Sequence, residues 1–295
     1  MSSLKRRLQS TLGSLAGASI LGASILALPP ALADESPAPK TVKVGTSRGE
    51  FELLVFAPER AVAGARDQDL TRPLVLLVSG EGGWRSFDVL LARWFREAGF
   101  WVGGIDAMKY FWQAQDDREA LAADLRAYAD ALAGASGRSA DSPLLLAGFS
   151  FGADLAPRIA GAHGWNGRIR GLVMIAPDEV GSLEFRLSEI LGFEPKEHVF
   201  KVADALRSAA GVPVLLVHGE NDTHSAAPAL VSAAAEPKRL VTIAGANHHF
   251  SGRETELRSK LEEGLAWLLS PGIPPIHLRP VGAPRPSGSR TERRP

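Results

Sequence analysis

Six aliphatic runs recur along the chain, and they constrain its fold more than any other feature. They are Leu74 to Val78, Trp101 to Ile105, Leu144 to Ala147, Ile169 to Ile175, Val214 to Val217 and Leu240 to Ile243. A strand with one face in water alternates apolar and polar residues. These runs are instead apolar at nearly every position, so both faces must be covered. Between them lie stretches whose apolar residues recur at three and four, notably Phe87 to Ala98, Arg118 to Ala133 and Arg253 to Leu269, which predicts helices packing on a sheet. Strand and helix alternating in this way give a mostly parallel α/β sheet. An opening pair, Thr41 to Val44 and Phe51 to Phe56, is joined through Gly45 and Gly49 and reads as an antiparallel hairpin.

The two ends differ from this body. Lys5, Arg6 and Arg7, the apolar stretch Leu15 to Leu28 and the small-x-small triplet Ala31-Leu32-Ala33 have the order of a cleavable secretory signal over residues 1–33. That stretch is shorter than the roughly 20 residues a membrane span requires and is followed by Pro29-Pro30. Export to the periplasm is therefore expected. Residues 271–295 are rich in Pro, Gly and Arg, a composition that cannot bury a core, and they read as a disordered basic tail. The body, 34–270, has the length of one domain and contains no fixed-period repeat.

Charge becomes informative once the ends are set aside. The whole chain has 33 basic and 33 acidic residues. Three of the bases lie in the signal, and the tail holds five arginines against Glu292, which leaves the body 25 basic and 32 acidic residues, a net charge of −7. Such a surface argues against nucleic acid as the main ligand. The chain has no cysteine, which excludes disulfides, thiol nucleophiles and thiolate metal sites.

In sheets of this kind ligands bind beyond the carboxyl ends of the strands. Directly after Leu144 to Ala147 comes Gly148-Phe149-Ser150-Phe151-Gly152, and Ala153 to Ala162 continue as a helix. This is G-x-S-x-G in the strand, sharp turn and helix context of a nucleophile elbow. It points to the α/β-hydrolase fold with Ser150 as nucleophile. A serine hydroxyl needs a base to take its proton, and Gly245-Ala246-Asn247-His248-His249-Phe250 follows a late strand. His248 is the expected base and His249 the alternative, the other imidazole lining the pocket.

The third member, which fixes the imidazole tautomer, lies between serine and histidine in this fold. Asp222, in the loop after Val214 to Val217, is the expected acid, with Glu220 and Asp178 as alternatives. For the oxyanion the expected donors are the N–H of Phe151 and that of Glu81, with Gly82 next in line, from the loop Ser79-Gly80-Glu81-Gly82-Gly83-Trp84. No Gly-Lys-Ser/Thr follows those glycines, so this loop is no P-loop. No metal is expected: His218 and His224 flank Asp222, but the strand end and the triad already use this segment. No cofactor is called for either.

These segments together resemble the VirJ family of exported α/β hydrolases, which includes the VirJ-like domain of AcvB. The resemblance rests on the loop 79–84, on Lys109-Tyr110-Phe111-Trp112 after Asp106, on Gly148 to Gly152 with Ala153-Asp154, and on the Gly-x-x-His-His-Phe segment at 245–250. Phe149 stands where the family has Tyr, Glu81 where it has Asp, and the chain has no cysteine near Val217 or after Ser225. The resemblance implies a periplasmic hydrolase that removes the aminoacyl group, lysyl or alanyl, from aminoacylated phosphatidylglycerol. A cationic substrate suits the acidic body. On this reading Asp106, Asp154 and Asp178 are the candidate carboxylates for its amino group, Asp154 being equally suited to steadying the helix after Ser150. Gly82, Trp84, Tyr110 and His249 join them as candidate substrate contacts. Tyr110, Phe111 and Trp112 line the pocket mouth, rest on lipid or belong to the core, and the basic tail is a possible peripheral contact with anionic membrane. The rival readings are a general esterase or lipase on the same scaffold and a non-catalytic periplasmic adaptor.

Overall fold

A computed structural model describes residues 38–59, 72–185 and 197–270. The expected signal and basic tail lie outside them. The chain opens with an antiparallel pair, β1 (Lys40–Thr46) and β2 (Gly49–Phe56), in register from Lys40 opposite Val55 to Thr46 opposite Gly49. There follow β3 (Leu74–Val78), α1 (Ser86–Glu97), β4 (Val102–Ile105), the short α2 (Ala107–Tyr110) and α3 (Arg118–Ala135). Next come β5 (Leu144–Phe149), α4 (Phe151–Ala160), β6 (Ile169–Ile175) and a two-stranded ribbon of β7 (Val180–Ser182) and β8 (Val199–Lys201). The body ends with α5 (Val202–Ser208), β9 (Val214–Gly219), α6 (Ala227–Ala233), β10 (Lys238–Ile243) and α7 (Glu254–Leu268).

The main sheet has eight strands in the order β1-β2-β4-β3-β5-β6-β9-β10. β1, β2 and β4 are joined antiparallel and all other neighbours are parallel. The six aliphatic runs are the six parallel strands, and their residues alternate between two cores as a pleat requires. Leu74, Leu76, Leu144, Leu146, Leu172, Met174, Val214 and Leu216 point to one side, where α3, α4, α5 and α6 cover them. Val75, Leu77, Leu145, Ala147, Val173, Val217 and Leu215 point to the other, under α1 and α7. The expected helices at 87–98, 118–133 and 253–269 correspond to α1, α3 and α7. The helices α2, α5 and α6 and the β7–β8 ribbon have no counterpart in the sequence reading, being too short to show a period.

Parallel strands share one carboxyl edge. The loops after β3, β5, β9 and β10 all emerge there, and they build the site.

Candidate active site

Ser150 occupies the turn between β5 and α4 with φ 50° and ψ −119°, a conformation that non-glycine residues rarely adopt. Its N–H donates to the Ile175 carbonyl at 2.8 Å, which ties the turn to the end of β6. The flanking glycines are required by crowding. A Cβ on Gly148 would strike the Gly152 carbonyl group, and one on Gly152 would strike the Val78 carbonyl oxygen. The sharp turn is thereby pressed against β3, with the serine hydroxyl at its apex.

Two loops deliver the partners. Asn221 N–H donates to the Ala246 carbonyl at 2.9 Å, and Gly245 N–H donates to Glu220 Oε2 at 2.8 Å, so the loops after β9 and β10 form one unit. Phe250, fully buried and stacked with Phe87 at 6.0 Å, anchors the second loop. Asn247 Oδ1 accepts from the N–H groups of His249 and Ser251, each at 3.1 Å, which fixes the turn that carries the histidines.

His248 Nε2 lies 3.0 Å from Ser150 Oγ, and His248 Nδ1 lies 2.8 Å from Asp222 Oδ2. The side chain of Asp222 is wholly buried. Its other oxygen, Oδ1, accepts from the N–H groups of His224 at 3.0 Å and Ser225 at 3.2 Å, which leaves Oδ2 for the imidazole. An imidazole held at Nδ1 by a carboxylate presents Nε2 as a proton acceptor to the serine. His249 makes no such bond. It lines the cleft with its ring 5.3 Å from that of His248, and burial, then the neighbouring His248, push its pKa below the ordinary histidine value. Glu220 ties the two loops together, and Asp178, after β6, accepts from Glu179 N–H while the imidazole Nδ1 is taken by Asp222. Of the weighed alternatives the structure therefore joins His248 and Asp222 to Ser150.

Beside Ser150 is a cleft of about 430 Å³. The loop after β3 forms one wall, Phe149, Phe185 and Met108 supply apolar surface, and both histidines face in. In that loop Gly80 N–H donates to Asp88 Oδ1 at 3.3 Å and Gly83 N–H to the Gly80 carbonyl at 3.1 Å. The N–H groups of Glu81 and Gly82 have no acceptor among the described residues, and Phe151 N–H, first in its helix, has no intrahelical acceptor. These are the donors the sequence singled out for an oxyanion.

Five expected substrate contacts lie elsewhere. Trp84 turns under the sheet edge, its indole against Gly104 and stacked with Phe56 at 5.9 Å. Asp106 caps α2, accepting from Lys109 N–H at 3.2 Å, and with Trp84 lines a separate cavity. Tyr110 is core, 1% exposed, and donates its hydroxyl proton to Asp124 at 2.5 Å. Asp154 faces inward from α4 and accepts from Asp178 N–H at 2.8 Å. Burial, together with the nearby Asp178 and Glu81, holds its carboxyl well above the usual range. Asp178 is exposed and accepts from its neighbour Glu179 N–H at 2.5 Å.

Arg85, Phe87, Asp88, Met108, Phe149 and Phe185 line the cleft and were not expected there. Asp88 is 2% exposed and receives Gly80 N–H and, at 2.9 Å, Arg85 N–H, so it braces the wall from within. Burial pushes its carboxyl up to about 6. It lies three residues after Arg85, the residue that caps α1, and accepting the Arg85 N–H makes it one half of a capping box, the half that a carboxylate supplies.

Residues 72–267 match the family model described as bacterial virulence protein (VirJ). No curated protein matches the chain in sequence. Among solved structures the chain is similar to Est1E from Butyrivibrio proteoclasticus, at 14% identity and TM-score 0.54 over 77% of this chain and 98% of that one. It is similar to XC6422 from Xanthomonas campestris, described as an α/β serine hydrolase without lid, at 22% identity and TM-score 0.52 over 79% and 96%. It also resembles dienelactone hydrolase from Anabaena variabilis, at 18% identity and TM-score 0.55 over 77% and 96%. With the strand order, these likenesses show that the fold is that of the α/β hydrolases.

Proposed function

The chain belongs to the VirJ family, and from that premise we propose that it is a serine hydrolase of carboxylic esters, acting in the periplasm on the aminoacyl ester of aminoacylated phosphatidylglycerol. The observation that carries the chemistry is the relay from Asp222 through His248 to Ser150, two hydrogen bonds of 2.8 and 3.0 Å ending on a serine at the apex of a strained turn.

In the first half-reaction Ser150 Oγ attacks the ester carbonyl while His248 Nε2 takes its proton, and Asp222 stabilises the resulting imidazolium. The negative charge that develops on the carbonyl oxygen is met by the N–H groups of Phe151 and Glu81. Collapse breaks the bond to the alcohol, which leaves with the proton from His248. Water then attacks the acyl-enzyme, giving its proton to His248, and the free acid departs as Ser150 recovers its hydrogen.

The substrate class is supported by the family, by the acidic body, and by a cleft whose apolar wall suits the rest of a lipid. The periplasmic assignment rests on the signal-like N-terminus. A fluorophosphonate probe tests the chemistry: it should label the protein, and S150A should abolish labelling and lower turnover by about 10⁴-fold or more with the fold intact. Near-normal turnover by folded S150A would sink the mechanism. Lysyl-, alanyl- and unmodified phosphatidylglycerol in mixed micelles test the substrate. Release of amino acid is expected, and release of fatty acid would make the protein a lipase.

A further inference from the structure

Two side chains of opposite charge, Glu81 and Arg85, stand at the cleft beside Ser150, and neither forms an ion pair among the described residues. Glu81 is exposed and lines the cleft, and its carboxylate has no ion pair and no hydrogen bond among the described residues. Arg85 is exposed at the same cleft, and its Nε–H donates to the Gly82 carbonyl at 2.6 Å. The remaining N–H groups of its guanidinium have no acceptor among the described residues. The other acid of this wall, Asp88, has both oxygens committed to backbone N–H groups. Nor does the nearest imidazole cancel Glu81. His249 is held below its ordinary pKa by burial and by His248, so it is neutral at neutral pH. A cleft that keeps one free carboxylate and one free guanidinium is built for a ligand carrying both charges.

Position assigns the two signs. Glu81 carries the N–H proposed above as an oxyanion donor and lines the same cleft as Ser150, which sets its carboxylate on the acyl side of the scissile bond. In an α-aminoacyl ester the ammonium nitrogen is two bonds from that carbonyl carbon. Arg85 lies four residues farther along the wall, and a planar guanidinium with free N–H groups suits a phosphate. We propose that Glu81 is the specificity-determining residue for an ammonium on the acyl side of the scissile ester, and Arg85 for a phosphate on the alcohol side. The inference rests on the ester-hydrolase reading and names the groups that select its substrate.

Three water-soluble esters separate the two charges: lysyl-glycerol phosphate, its N-acetylated form, and lysyl-glycerol without phosphate. With wild-type protein, loss of either charge should lower kcat/KM by about tenfold, since the bound ester shields both pairs from water. E81Q should collapse the ratio between free and acetylated amine and keep the phosphate ratio, whereas R85Q should do the reverse. Ratios taken within one variant remain valid even where the loop has shifted and the overall rate has fallen. The amide isostere of lysyl-glycerol phosphate, titrated into folded S150A, S150A/E81Q and S150A/R85Q, gives the same comparison as binding without chemistry. Each second substitution should there weaken binding by about tenfold. Wild-type ratios near one, or ratios and affinities unmoved by E81Q and R85Q, would overturn the assignment. Absence of Ser150-dependent turnover of all three esters, with isostere binding still sensitive to E81Q and R85Q, would instead remove the hydrolase reading and keep the charge-reading cleft.

Discussion

Two buried aspartates of this molecule use the same chemical group for opposite ends. Asp124, on α3, accepts from Ser47 N–H and Ser47 Oγ–H, both at 2.7 Å, and from the Tyr110 hydroxyl at 2.5 Å. Its two oxygens pin the turn of the β1–β2 hairpin to the core. The Tyr110 phenol is held above its usual pKa by burial and by that bond, so it stays a donor. Asp222 likewise spends Oδ1 on two loop N–H groups but gives Oδ2 to an imidazole whose charge changes as the proton comes and goes. A buried carboxylate whose donors never titrate is a structural node. When one donor titrates, the same group becomes part of a proton relay.

That contrast can be broken by substitution. D222N should lower kcat by about 10⁴-fold with little change in thermal midpoint, because the amide favours the wrong imidazole tautomer. H248A should match it. A D222N protein that keeps its turnover would place Asp222 with Asp124 as a structural node.

Asp88 sharpens the comparison, since its donors are backbone N–H groups, yet its carboxyl is pushed from 3.8 to about 6 by burial. A raised acid keeps its proton in the native state while the unfolded chain has lost it. Stability is therefore unaffected by Asp88 below pH 3.8, falls as pH climbs through the window up to about 6, and has lost up to roughly 3 kcal/mol above it. In urea titrations at pH 4 and pH 7, D88N should gain on wild type by up to that amount on going to the higher pH. A gap that is the same at both pH values would contradict this.

D124N should cost about 2 kcal/mol of stability by leaving buried donors unmatched, while the folded fraction keeps its kcat. A large fall in kcat at full folding would give Asp124 a part in the chemistry. The smallest effect belongs to H249A, expected to stay within about tenfold of wild-type turnover because only His248 reaches the serine. If H249A were as damaged as H248A, the relay would need both rings.

Much of the fold and the reacting centre was legible in the sequence, because both depend on local patterns. Six doubly buried runs dictate the parallel sheet, and the elbow requires Gly148 and Gly152 for reasons of space. The expected triad follows from strand ends in order. The substrate contacts were less legible, because whether a side chain meets the cleft depends on the face its element turns inward. Asp154 is one helical turn from Ser150 yet points into the protein, and Asp106 is consumed as a helix cap. Trp84 belongs to the right loop but folds back over Gly104, a contact between segments 20 residues apart that no local pattern reveals. Phe185 reaches the cleft from just after β7, within the connection of the ribbon, again through tertiary packing alone. The signal peptide and basic tail remain expectations of composition.

The spacing of the reacting groups also has a consequence for how the protein is made. Ser150 and His248 are 98 residues apart, and His248 is delivered by the loop between β10 and α7. A chain that emerges from its N-terminus therefore presents the serine long before it owns a base. Ribosome-bound intermediates, or fragments that end at Ile243, hold an ordinary alcohol at position 150 and cannot attack an ester. Hydrolysis requires the chain to have been made past His248, so the onset of activity during refolding or in vitro translation reports docking of the β10 loop and not formation of the elbow.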